Sequence, residues 1–264
     1  MTTTTAPAAT TVEPGRRPGV RRPSLLRLTG VELRKLTDTR AGLWLLVTIG
    51  LTTAVIVTLQ LVYADAEDQT YASFFVPSLL PVGLLLPVLG ILSITAERSQ
   101  RTALVTYALV PRRERVIVAK LAAVVLAAPA SVLTSLAVAA IGTLVSGATG
   151  GAGRWEFDEA LLLNAIVFQV ANVLMGAGFG LLLLNTPLAI VAYLLLPTVW
   201  SIVGELVPAL HRPAGWLDTG RTMEPLFSTS LDADQWARLG VSLLVWLVVP
   251  IVVGVIRTLR REVA

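Results

Sequence analysis

The chain has 264 residues, of which 55% are apolar and only 14% charged, and its net charge is +4. Soluble domains carry about a quarter charged residues, so these values exclude an ordinary soluble globular protein, and the mean hydropathy of +0.75 agrees. There is no cysteine and the single histidine is His211, which excludes a disulfide framework, thiolate metal sites and histidine clusters within this chain.

Residues 1–23 are rich in Thr, Ala, Pro and Arg, and Pro14, Pro18 and Pro23 oppose any helix. They read as a disordered cytoplasmic tail. Residues 24–40 read as an interfacial amphipathic helix, capped by Ser24. At 100° per residue Leu25, Leu26, Leu28, Leu33 and Leu36 share one side, and Arg27, Arg34 and Asp38 the other. A basic polar face of this kind suits a membrane surface. Glu32 departs from the pattern, because it falls inside the leucine stripe.

Residues 41–264 read as an all-α, polytopic membrane domain with six spans. Runs of roughly 20 apolar residues cross a ~30 Å hydrocarbon core at 1.5 Å per residue. They fall at about 42–62, 74–96, 118–145, 161–184, 187–206 and 239–256. Ala64-Asp65-Ala66 fits a signal-peptidase pattern, but the apolar run before it exceeds an h-region of about 7–15 residues. The first span is therefore expected to be retained. Pro77, Pro81, Pro87, Pro129, Pro197 and Pro250 lie within spans and predict kinks, which membrane helices tolerate when neighbours satisfy the freed carbonyls. With six spans, 17 of the 21 Lys and Arg residues fall on the side of the termini. This predicts that both termini face the cytoplasm.

No G-x-x-x-x-G-K-[ST] phosphate loop occurs. Gly147 to Gly153 is glycine-rich, but it lies on the acidic outer side and reads as a flexible loop. Gly176, Gly178 and Gly180 form G-x-G-x-G, in which Gly176 and Gly180, four apart, read as a small-residue face for close helix packing. Ionisable residues are nearly absent from mid-span, and Lys120 and Glu205 are expected at span ends. This argues against an ion-coupled carrier, and no paired carboxylates or Ser/His pair suggest an intramembrane enzyme. Gln60, Ser135, Asn164, Gln169, Asn172, Thr198 and Ser201 are polar span residues. Such residues usually hydrogen-bond between helices; Gln169, Asn172, Thr198 and Ser201 are candidates for a substrate path.

The most informative segment joins the second and third spans. It holds Glu97, Arg98, Arg101, Thr102, Leu109, Pro111, Arg112, Arg113, Arg115 and Lys120. The stretch 102–110 is apolar yet too short to span, and predicts a short cytoplasmic helix ended by Pro111. The segment reads either as a positive-inside anchor or as a docking surface for a cytoplasmic partner.

In their order these residues resemble the membrane subunits of ATP-binding-cassette exporters of the type-2 permease class. Those subunits show an acidic residue ending the second span, an Arg/Gly-Thr step, a short apolar helix, Pro with basic neighbours, and Lys entering the third span. Glu32 to Leu36, with Arg34 and Lys35, is similar to the family's interfacial helix. Gly176 to Leu182 with Asn185 resembles its fourth and fifth spans. Trp246 to Pro250, Gly254 and Arg257 to Val263 resemble the last span and tail of actinobacterial members. Leu184 departs from the pattern, since a basic residue often precedes that Asn. The resemblance implies a permease that binds no cofactor itself, with ATP and Mg held by a separate ATPase subunit docked on the Glu97–Arg115 loop. It also implies a second permease copy or a sister permease, in the plasma membrane. Nucleic acid is not an expected partner, whereas membrane lipid is. Glu32 is expected to pair with the cluster Arg112, Arg113 and Arg115. The alternative is a membrane assembly protein that transports nothing.

Overall fold

In the computed structural model residues 24–99 and 112–260 are described, the side chains of 97–99 excepted. Helix α1, Leu25–Asp38, starts where the Ser24 side chain accepts the Arg27 amide. It stops at Thr39, whose backbone turns extended and whose hydroxyl caps α2, Arg40–Tyr63, by accepting the Gly42 amide at 3.1 Å. Gly42 is needed at this corner, since a Cβ there would run into the Leu36 carbonyl.

Helix α3, Tyr71–Ser99, carries Pro77, Pro81 and Pro87. Each proline leaves the carbonyl four residues earlier without its helical donor. For Pro77 that carbonyl is Ser73, and Gln60 Nε2 of α2 donates to it at 2.8 Å. For Pro87 it is Gly83, which the Tyr193 hydroxyl approaches at 3.5 Å. Polar residues of neighbouring spans thus repair the backbone that proline opens.

Helix α4, Arg113–Thr149, has 37 residues, about 55 Å at 1.5 Å per residue, and outruns the bilayer. It ends at Gly150 in the left-handed region, φ 93°. The glycine-rich stretch that follows was expected to be a flexible loop, but it is folded against its neighbours. Ala152 N donates to Ala66 O, Tyr71 N to Arg154 O, and Arg154 Nη2 to Glu67 O. A Cβ on Gly153 would stand 2.7 Å from the Cα of Gly147. Tyr71 stacks on Trp155 and meets Phe157 edge-on.

Helix α5, Glu159–Leu183, is the axis of the bundle and packs against α3, α4, α6 (Thr186–Leu206) and α10 (Val249–Arg260). Its glycines set these approaches, Gly176 and Gly180 toward α3 as the small-residue face predicts, and Gly178 on the other side toward α10. A Cβ on Gly176 would collide with the Pro87 carbonyl, and one on Gly178 would lie 3.0 Å from Ile251. Gly254 of α10 returns the contact, since a Cβ there would lie 2.6 Å from Leu181. Leu184 ends α5 with φ 51°, and Arg257 Nη1 donates to the Leu182 carbonyl at 2.7 Å. The cation that α5 lacks at its own end therefore arrives from α10, where it also faces the negative pole of the helix.

Between α6 and the last span, short helices α7 (His211–Leu217) and α8 (Thr219–Met223) and 3-10 turns form a cap. Met223 and Leu226 bury it on Phe168, Ala171 and Leu239. The last span then runs as α9 (Ala233–Leu243), a π-helical segment (Leu244–Val248) and α10. Pro250 cannot donate to Trp246, and Val249 N bonds Leu244 O instead.

Among the described residues six helices are long and apolar enough to cross a membrane. Among the described residues no strand forms beyond an isolated Thr70–Arg154 bridge. Most of α3 and α5 is buried, whereas α2, α6 and the last span expose rows of Leu, Val and Ile, as helices facing lipid do. The third span starts at Arg113 and the sixth at Ala233, each several residues before its apolar run.

Candidate functional site

The densest polar junction lies where α1, α3 and α4 meet. Lys120 sits two turns inside α4, its side chain 7% exposed. Its Nζ donates to Glu32 Oε2 of α1 at 2.8 Å and to the Ser93 carbonyl of α3 at 2.8 Å. Glu32, 7% exposed, accepts a second charged bond from Lys35 Nζ on Oε1 at 2.7 Å. One carboxylate between two ammoniums meets what a buried charge requires. Breaking such a pair by removing one partner costs about 3–5 kcal/mol, so the junction fixes α1 to the start of α4.

One sequence expectation changes here. Glu32 pairs with Lys120 and Lys35 rather than with Arg112, Arg113 or Arg115. Lys120 is buried two turns after the start of α4 at Arg113. Arg112 and Arg34 are exposed, while Arg113 and Arg115 are half-buried in the first turn of α4. The expected short helix over 102–110, with Arg101, Thr102, Leu109 and Pro111, lies outside the described residues, as do the side chains of Glu97 and Arg98. On α3, before that segment, Ser93 is held by Lys120.

The four candidate path residues do not converge. Gln169 is fully buried and donates Nε2 to Leu79 O at 3.2 Å. Asn172 donates Nδ2 to Phe168 O and accepts the Tyr193 hydroxyl on Oδ1 at 3.2 Å. Thr198 lies on the outward face of α6 and its hydroxyl returns to Leu194 O. Ser201 donates to Asp218 Oδ2 at 2.7 Å. Gln169, Asn172 and Ser201 act between elements, as interhelical ties.

Asp218 is the functional-looking residue that sequence reading passes over. Its side chain is 4% exposed. Oδ1 caps α8 by accepting Gly220 N at 2.9 Å and Arg221 N at 3.3 Å, and Oδ2 accepts a hydrogen bond from the Ser201 hydroxyl and lies 3.6 Å from Arg221 Nε. The sequence Asp218-Thr219-Gly220-Arg221 carries the N-cap signal that would have found it. At the same end of the bundle a shallow depression of about 590 Å³ is lined by Ala72, Phe157, Leu161, Thr229 and the acids Glu156, Asp158 and Glu159. Among the described residues no group of three His, Cys, Asp or Glu is placed to hold a metal ion. Comparison with protein-family models and with curated proteins yields no match for this chain, so the functional reading rests on its residues.

Proposed function

We propose that this chain is the membrane subunit of an ATP-binding-cassette transporter, of exporter type, powered by a separate ATPase. The observation that carries this reading is the Glu32–Lys120 pair buried between a surface helix and the root of α4. A charged lock of this kind has little use in a passive anchor. It makes mechanical sense where force enters from one end. The segment between α3 and α4 is the one whose residue order resembles a permease docking loop, and both of its flanks are tied to Lys120, through Ser93 on α3 and through α4 itself.

An ATPase docked there, holding ATP and Mg, would push on α3, α4 and α1 as one unit. The glycine contacts of Gly176 and Gly178 then carry the displacement through α5 into α10. Two such permeases, identical or sister chains, would enclose the substrate path, in the plasma membrane with both termini in the cytoplasm.

The test is copurification of the tagged chain from its native membrane in mild detergent. An ATPase is expected in near-stoichiometric amount, and Glu32→Gln is expected to lower either assembly or substrate-stimulated hydrolysis. Recovery without any ATPase sinks the proposal in favour of an assembly protein. Orientation is tested separately, since the chain has no cysteine. A membrane-impermeant thiol reagent on intact cells should label Thr149→Cys and spare Thr37→Cys.

A further inference from the structure

Helix α1 has more apolar surface than its contact with the bundle uses. Thr29, Glu32 and Leu36 form its buried row. Leu26 and Leu33 lie roughly 60–80° round the helix from that row, at 100° per residue. They remain exposed, Leu26 at 86%. Arg27 and Arg34 stand on the side opposite the buried row, and both are exposed. Arg40 opens α2, and Trp44, four residues on and so on the same face, is 70% exposed. Among the described residues Arg27, Arg34 and Arg40 enter no ion pair.

The order of these rows has a physical meaning. Leucines left out of the protein require hydrocarbon, and the arginines beside them require anions where the hydrocarbon ends. Trp is the residue most at home at that boundary. A zwitterionic headgroup offers a phosphate without net charge, whereas an anionic one complements three unpaired guanidiniums. We infer that Arg27, Arg34 and Arg40 bind the headgroups of anionic phospholipids, with Leu26, Leu33 and Trp44 in the adjoining acyl layer. Lipid then holds the outer side of α1 while Lys120 holds its inner side. This inference stands apart from the transporter reading, because lipid binding is measured with no ATPase present.

The experiment uses the full chain in bilayers of phosphatidylcholine containing a minority of phosphatidylglycerol. Spin-labelled versions of both lipids report which is retained at the protein surface. The chain should prefer phosphatidylglycerol at low ionic strength and lose that preference as sodium chloride screens it. The variant Arg27→Gln/Arg34→Gln/Arg40→Gln should lose it without added salt, at about fivefold per arginine removed. If that variant does not fold, Arg27→Lys/Arg34→Lys/Arg40→Lys should retain the preference, and the salt response of the unaltered chain still decides. No preference at low salt, or an undiminished one in the glutamine variant, overturns the inference. So does displacement by inorganic phosphate beyond that by chloride at equal ionic strength, which would point to a free anion. Loss of a copurifying protein from the glutamine variant with lipid preference intact would assign the arginines to a protein partner and overturn it as well.

Discussion

Each end of the bundle is secured by one buried carboxylate, Glu32 held mainly by two ammoniums and Asp218 mainly by a helix cap. Glu32 has its partner Lys120 on another helix, 88 residues away. Asp218 is met by the amides of the next residues, by Ser201, only 17 residues earlier, and by the half-exposed Arg221 guanidinium at 3.6 Å. The first arrangement joins elements distant in the chain; the second stabilises a local turn and pins it to the helix before it. A charge matched by a charge resists separation but is ruined by loss of one member. A cap shared among amides and a hydroxyl loses a smaller part with each substitution.

Four substitutions break or sharpen this contrast. Lys120→Met strands the Glu32 carboxylate and should lower stability by about 3–5 kcal/mol, read as a fall in thermal unfolding temperature in detergent. The double variant Lys120→Met/Glu32→Leu removes both charges, and should recover most of that loss because an apolar pair of similar volume is often neutral. If it is no more stable than Lys120→Met, the junction depends on more than its charges. Asp218→Ala should cost about 1–2 kcal/mol and raise hydrogen exchange in α8 while leaving α1 protected. Glu205→Ala removes the exposed partner of Arg221, which sits at 2.7 Å; it should change unfolding by no more than about 1 kcal/mol, with the difference vanishing in high salt.

The six spans were legible because apolar length is a property of contiguous sequence. Their ends were less so: Arg113 and Ala233 begin helices before the apolar runs do, since a helix continues through charged residues that a hydropathy window excludes. Glu32 was legible as an anomaly in a leucine stripe, but its partner was not, because nothing local distinguishes Lys120 from the arginines before it. The cap between α6 and α9 escaped notice for another reason. Helices of seven and five residues are shorter than any window in which a period of 3.6 can be seen. The glycines after Ser146 show the limit of composition: the same residues signal a loose linker or a close fit, and Gly153 against Gly147 is the latter. Of the candidate docking segment, only the flanks can be matched to structure, and of the candidate path only Gln169 and Asn172 share a helix and a buried setting.

The π-helical segment Leu244–Val248 has a consequence for how the last span serves two neighbours. One surplus residue in that stretch offsets the phase of everything after it by about 100° relative to a regular helix. That offset lets α9 meet the cap and α10 still turn Gly254 toward Leu181. Deleting one residue would remove the bulge and keep the two halves in step, whereas winding all of the same residues as a regular helix would slide them out of step. Gly254 would swing away, and a bulkier side chain would be driven into the gap it fills. The irregularity acts as a phase adjuster between two gears cut to different teeth.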